Sequence, residues 1–324
     1  MTRDTLLDPA PRLAWAPLAL AVLLILGGAL LAGTPLDREL MIGINHAGAG
    51  LSVYASSMAV LGLGASGVLL AGFVGLRHPH VPAAIIVMVL IGGLVVQLAK
   101  NALGMPRPVA VLGPEVLHVI GDALRTRSMP SGHSALLAGV AALAWIGPWR
   151  IASWPLRMGL SLLALAGVPM RVVVAAHWPS DVLCGAGVGI AAAVFCGSSH
   201  YGVALIDRVE RFARRPPGAV AMAAVLAAVS IGLALSNTGY PSADPVRAGV
   251  VAIGVIAVIG WLVRAVRFPT PAFGVAAPGA PPSAAGTASS SSIASFVPSR
   301  SDTSASSSAD PATGRPPTRP RVVE

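Results

Sequence analysis

Three clusters of residues near the middle of this chain have types and spacings that could do chemistry. Lys100, Arg107 and Pro108 stand as K-x6-R-P. Pro130, Ser131, Gly132 and His133 run consecutively. Arg171, His177 and Asp181 stand as R-x5-H-x3-D. The first cluster offers cations for an anion, although Lys100 and Arg107 alone would also read as a snorkelling pair at a membrane interface. In the second, Ser131 suits a helix N-cap and Gly132 permits close backbone approach to a ligand. The free N–H groups of a helix starting there would form an anion site. In the third, Pro179 suits the first turn of a helix, which puts Asp181 in that turn and within reach of the His177 imidazole. A carboxylate that holds one ring nitrogen protonated presents the other as a lone pair. The same Asp could instead only complement the helix dipole beside an interfacial His.

The elements that must position these residues are membrane helices. Of 324 residues, 55% are hydrophobic, 11% charged and 5% aromatic, with a mean hydropathy of +0.76. A soluble chain carries about 25% charged residues. The apolar residues come in blocks of about 20, the length that crosses a bilayer. A polytopic integral membrane protein follows. A secreted disulfide scaffold, a nucleic-acid-binding protein and a soluble Rossmann enzyme are excluded. The net charge of +9 does not gather on one amphipathic face. Its basic residues sit between apolar blocks, as topology signals do. Lys100 is the only lysine among 22 basic residues, which raises the question of what an ammonium does there that a guanidinium cannot. Cys184 and Cys196 share one block and would lie about 18 Å apart on a helix, too far for a disulfide.

Eight blocks are expected, over about 13–33, 52–76, 82–99, 134–149, 157–176, 181–198, 217–236 and 246–266. The first reads as an uncleaved anchor, since its apolar stretch exceeds the usual core of a signal peptide. With the N-terminus inside, inner segments hold eleven basic residues of blocks and loops and outer segments seven, of which Lys100, Arg107 and Arg171 are three. That places both ends inside. The Ser-, Ala- and Pro-rich stretch over 269–324 cannot bury a core and is expected to be a disordered tail. All three clusters then lie at the same outer face. Together they supply three cations, two helix N-termini, two histidines and one carboxylate. So much positive potential calls for a multiply charged anion, and phosphate fits.

At this point the sequence resembles the type 2 phosphatidic acid phosphatase superfamily. That family carries K-x6-R-P, P-S-G-H and S-R-x5-H-x3-D in this order, and all ten defining residues outside the leading Ser are present. The departure is Met170, where the family usually has Ser. The resemblance spans about Asp37 to Phe195. It implies an all-α integral membrane fold with a six-helix phosphatase core, here with two additional C-terminal transmembrane helices. The expected division is 1–36 with the first helix, 37–198 as the core, 199–268 as the extra helices and 269–324 as the tail.

The resemblance also implies roles. His177 would be the nucleophile that forms a phosphohistidine, and Asp181 would orient it. His133 would protonate the leaving oxygen and then activate water. Lys100, Arg107, Ser131, Gly132 and Arg171 would hold the phosphoryl oxygens. No metal or other cofactor is expected, because these cations do a metal's work and only one carboxylate belongs to the constellation. The expected substrate is a lipid phosphate or diphosphate whose tail stays in the bilayer, at the outer face of a bacterial inner membrane. No nucleic-acid partner is expected. Rival readings are a lipid phosphotransferase using the same phosphohistidine, a non-catalytic transporter or scaffold, and a vanadate haloperoxidase; members of that last class are generally soluble. His46, His78, His80 and His118 lack partners at catalytic spacing and read as loop or interface residues. Arg125 and Arg127 could touch a diphosphate or headgroup or be plain interfacial arginines, and Glu115 and Asp122 read as solvated.

Overall fold

The computed structural model describes residues 14–148, 150, 151 and 153–267; the expected tail lies outside them. Among the described residues all regular structure is helical. The helices are α1 (Trp15–Leu31), α2 (Pro35–Ala47), α3 (Ser52–Leu61), α4 (Gly64–Val74), α5 (His80–Leu103), α6 (Pro108–Leu112), α7 (Gly132–Leu143), α8 (Trp154–Gly167), α9 (Met170–Val173), α10 (Pro179–Ser198), α11 (His200–Ala213), α12 (Pro216–Leu235) and α13 (Asp244–Arg267). Five stretches are long and apolar enough to cross a membrane, or up to seven if each of two bent pairs is one span.

The bends have local causes. Between α1 and α2 the axis turns by 102°. Gly33 takes φ +75° there, and Thr34 caps α2 by accepting from the Asp37 N–H, with Pro35 as the first helical residue. Between α3 and α4 the turn is 68°, at Gly62 and Leu63. Helix α7 stops at Leu143, short of the block expected to reach 149. Gly147 (φ +84°) then folds the chain against α10, where any Cβ would come within 2.7 Å of the Gly197 carbonyl.

Helix α10 is the axis of the fold, lying along α1 on one side and α7 on the other, with α5 and α11 also against it. Small residues make this possible. A Cβ on Gly185 would sit 2.2 Å from the Ser131 carbonyl, and one on Gly189 would sit 1.9 Å from that of Ala135. Two glycines one turn apart thus bring the start of α7 into backbone contact with α10, a form of packing common between membrane helices. The outward faces are apolar: Leu23, Leu30, Leu90 and Leu165 are all more than 60% exposed. Such a belt around the whole bundle suits lipid rather than water.

Helices α12 and α13 pack on each other and on α4. Leu69, Leu226 and fully buried Trp261 meet in one cluster, and the Trp261 indole donates to the Gly72 carbonyl at 3.0 Å. The stretch after α10, which reads as an inner loop in the sequence, forms amphipathic α11 instead. Its buried residues include Gly202, Ile206 and Ala213, while Tyr201 and Phe212 face outward.

The Gly185 contact is directly testable. In Gly185→Leu the start of α7 must move, and overpacking of this kind costs about 1–3 kcal/mol. We expect a lower melting temperature in detergent, whereas Gly159→Ala, in open space on α8, should melt no lower than the wild type. A Gly185→Leu protein that melts like the wild type would sink this account.

Candidate active site

All three clusters meet at one end of the bundle, where α5 and the α8–α9 pair end and where α7 and α10 begin. The hub is Asp181, fully buried in the first turn of α10. Its Oδ2 accepts from the Trp178 N–H at 2.9 Å and from the Ser128 hydroxyl, and lies 3.3 Å from His177 Nδ1. That contact assigns the Nδ1 proton to the carboxylate, leaving Nε2 with the lone pair. His177 is itself 2% exposed. Its burial, then the nearby cations Arg107, Arg171 and Lys100, push the imidazole well below its ordinary range. It is therefore neutral at pH 7.

Helix α7 begins as its sequence suggests. Ser131 is the N-cap, and its hydroxyl receives the Ser134 N–H at 3.4 Å and the Ser134 hydroxyl at 3.0 Å. The Ser131 N–H donates to the Asp181 carbonyl at 3.0 Å, which ties the second cluster to the third. A Cβ at Gly132 would meet only Val96, at 3.7 Å. Protein packing does not demand glycine there. His133 packs against Gly62, where a Cβ would come within 3.1 Å of its ring. It stands within electrostatic reach of Arg171, His177, Arg107 and Lys100.

The cations are held by carbonyl groups. Lys100, in the last turn of α5, donates from Nζ to Arg127 O at 2.7 Å and Ser128 O at 2.9 Å. Two adjacent carbonyls converging on one point suit an ammonium better than a planar fork, which answers the question raised by the single lysine. Arg107 donates from Nε to Thr126 O at 2.8 Å and from Nη1 to Ala176 O at 2.9 Å. Arg127 (φ 51°) and Ala175 (φ 60°) are the non-glycine residues with positive φ among those described. Both lie where the chain turns its carbonyls toward these cations, a place for strain at a functional site. Arg171, 3% exposed, donates from Nη1 to the Tyr240 hydroxyl at 3.2 Å. Met170 is buried in the apolar cluster that also contains Tyr240.

The loop between α6 and α7 is not loose. Asn45, fully buried on α2, donates to His118 O and Val173 O, each at 2.8 Å, and accepts from the His118 N–H at 2.7 Å. Asp37 on the same helix accepts from Ser180 N at 3.0 Å and Ser180 Oγ at 2.6 Å, bracing the start of α10. Ser128, Asn45, Asp37 and Tyr240 are not found by sequence reasoning, since their partners lie 53 to 143 residues away. Of the other singled-out residues, His46 bonds Val116 O at 2.8 Å, His78 and His80 touch each other, and Arg125 and Arg127 are exposed, with Arg127 Nη1 donating to Asn101 Oδ1 at 3.3 Å. Cys184 and Cys196 are buried free thiols. Among the described residues no group of three or more His, Cys, Asp or Glu side chains is placed to hold a metal.

Residues 82–203 match the PAP2 superfamily family model, a stretch that contains all three clusters. Over 103 residues the chain is 34% identical to the Lipid A 1-phosphatase of Porphyromonas gingivalis, covering 32% of this chain. The match spans only a fifth of that relative's own length, 20%. The crystal structure of Aquifex aeolicus LpxE is 27% identical, with a TM-score of 0.43 over 50% of this chain and 95% of that one.

The Asn45 staple yields a stability prediction. Asn45→Ala leaves buried backbone groups unpaired, which costs about 1–3 kcal/mol. We expect a lower melting temperature and faster proteolysis between residues 113 and 128. Unchanged melting together with unchanged cleavage would show that the loop is held by other contacts.

Proposed function

We propose that this chain is an integral membrane phosphatase that hydrolyses a lipid-linked phosphate monoester or diphosphate through a phosphohistidine on His177, without a metal. The observation that carries this reading is the buried His177–Asp181 pair beside three cations and the start of α7. Phosphoryl transfer is mainly a matter of positioning and of stabilising charge on the equatorial oxygens. Lys100, Arg107, Arg171, the Ser131 hydroxyl and the Gly132 N–H are the donors for that task; the Ser131 N–H is already engaged by the Asp181 carbonyl.

In the first step the Nε2 lone pair of His177 attacks phosphorus and the P–O bond to the lipid breaks. His133 gives its proton to the leaving oxygen. The charge that develops on the His177 ring is stabilised by Asp181. In the second step His133 takes a proton from water, the resulting hydroxide attacks phosphorus and the P–N bond breaks. Inorganic phosphate leaves and both histidines return to their starting states. Two easier displacements replace one difficult one.

A lipid-linked substrate is supported by an apolar cavity of about 1270 Å³ beside the site. It is lined by Leu20, Leu24 and Leu31 of α1 and by Val172, Pro179 and Val182, the last three flanking Arg171 and Asp181 in sequence. This exceeds the roughly 300–1,000 Å³ of ordinary ligand pockets, and an acyl chain would suit its walls. The basic ends at Arg77, Arg150, Arg157, Arg208–Arg215 and Arg264–Arg267 belong to the inner segments of the sequence reading, which favours the periplasmic side of a bacterial inner membrane for the site.

The test is phosphate release in detergent with EDTA present. Lipid A, as the named substrate of the relative, comes first, then polyprenyl diphosphate, phosphatidic acid and phosphatidylglycerol phosphate. We expect release that survives EDTA, is blocked by orthovanadate and falls by at least about 10³-fold in His177→Ala. Loss of activity in EDTA that returns with added metal would overturn the metal-free reading. Label passing to an acceptor lipid instead of water would make the protein a transferase. A pH profile supplies a second test. His177 must be neutral to attack, and its pKa is lowered, so the nucleophile persists as pH falls through the ordinary histidine value of about 6.5. The acid limb of kcat/KM should lie below that value, and the alkaline limb should report proton loss from His133, whose pKa burial and the nearby cations also lower, so activity should peak on the acid side of neutrality. A flat profile between about pH 5 and 9 would contradict the assignment of roles.

A further inference from the structure

Helices α12 and α13 lie outside the stretch that matches the family model, yet the turn joining them reaches the site. That turn is firmly built. The Gly239 N–H donates to Asn237 Oδ1 at 2.9 Å, Arg247 pairs with Asp244 at 3.0 Å and donates to Ser236 O at 2.5 Å. Residues 241–243 form a 3₁₀ turn whose Ala243 is fully buried. It also presses on the loop before α7. A Cβ on Gly121 (φ +84°) would lie 2.5 Å from Gly239 O and 2.6 Å from the Tyr240 ring, and one on Gly239 would lie 2.7 Å from Asp122 Oδ2.

Tyr240 stands at the inner edge of this turn and is 9% exposed. Its ring packs in the cluster of Met170, Val173, Val174 and Ala176, the residues surrounding Arg171 and leading to His177. Its hydroxyl accepts from Arg171 Nη1 at 3.2 Å, and the guanidinium carbon lies 5.9 Å from the ring centroid. Tyr240 is also within electrostatic reach of Arg107. Arg171 Nε has no hydrogen-bond partner among the described residues. The Tyr240 hydroxyl is therefore the side-chain contact that fixes the rotation of a buried guanidinium whose remaining donors are free for an anion.

We infer that Tyr240 is a positioning residue for phosphate binding: the α12–α13 pair delivers its hydroxyl to Arg171 and holds the guanidinium in the plane that receives a phosphoryl oxygen. This rests on the proposed phosphatase reading and adds a function for the two extra helices. A planar fork loses directed bonding when it can rotate, whereas its charge is unaffected. The consequence falls on anion affinity and on the transition state rather than on the fold.

The experiment uses the full-length protein in detergent and orthovanadate as the probe. Binding is measured by calorimetry, alongside turnover and melting temperature, for the wild type, Tyr240→Phe, Arg171→Lys and the double variant. Tyr240→Phe keeps the ring and its packing. We expect it to bind orthovanadate roughly tenfold more weakly, to lose kcat/KM by a similar factor and to melt with the wild type. In the Arg171→Lys background the same substitution should have no further effect on binding, because the group it positions is gone. Unchanged vanadate affinity in Tyr240→Phe would overturn the inference, and so would an equal loss in both backgrounds. A fall in melting temperature that accounts for the lost activity would reduce Tyr240 to a packing residue. A wild type that neither releases phosphate nor binds vanadate would instead refute the phosphatase reading, and this inference would fall with it.

Discussion

Asp181 is fully buried at the start of α10, and the geometry of the site radiates from it. One carboxylate oxygen collects the Trp178 N–H, the Ser128 hydroxyl and the His177 imidazole. Its backbone carbonyl collects the Ser131 N–H at the start of α7. Its other carboxylate oxygen, Oδ1, is buried with no hydrogen-bond partner among the described residues, so the three contacts at Oδ2 alone hold the carboxylate out of water, and removing one partner of a buried charge costs about 3–5 kcal/mol. The groups around Oδ2 are therefore fixed in position as a condition of its burial. Together with the Ser131 N–H they come from α7, α10 and the loop before α7, so a single residue sets the spacing between a histidine lone pair and a helix N-terminus.

That arrangement needs two helices closer than side chains ordinarily allow. Gly185 and Gly189 have the Ser131 and Ala135 carbonyls where their Cβ atoms would be. Gly28 and Gly187 do the same for α1, against the Ser180 and Ala21 carbonyls. In a bilayer no hydrophobic effect drives helices together, because lipid tails are as apolar as leucine. Close backbone approach and interhelical hydrogen bonds must do it. The glycine-rich composition of α10 is thus the packing device that lets the Asp181 network exist, while the large leucines are left for the outer faces of the bundle.

The parts legible in the sequence are those with local causes. The N-cap at Ser131, proline at the start of α10 and the His177–Asp181 spacing each follow from one helix turn, and the structure reproduces them. The apolar blocks gave the fold class for the same reason. What stayed hidden involves separation along the chain. Asn45 reaches Val173 across 128 residues and Asp37 reaches Ser180 across 143, and no periodicity records such pairs. The bend between α1 and α2 hid a second helix, because Asp37, Arg38 and Glu39 interrupt the apolar run and read as a loop. Helix α11 was missed similarly: its buried positions recur at helical spacing, but its charged face dominates the composition. The resemblance covers the clusters and stops before Tyr240, which contacts Arg171 only because α12 and α13 fold back onto α4.

The way the cations are held explains why they remain useful. Lys100 and Arg107 donate to four backbone carbonyls between them, those of Arg127, Ser128, Thr126 and Ala176. A carbonyl is a dipole: it satisfies a donor's geometry without cancelling its charge. Carboxylates in the same places would satisfy the geometry equally well and neutralise the site, leaving little field for an incoming dianion. Among the described residues no Asp or Glu forms an ion pair with Lys100, Arg107 or Arg171. Holding them costs desolvation that carbonyls only partly offset, and the left-handed backbone at Arg127 and Ala175 adds to that cost. A protein that needed these residues only for stability would gain more from pairing them. Cations kept charged and oriented beside a neutral buried imidazole are what the proposed phosphate site requires, since their field is left for an incoming anion instead of being cancelled within the protein.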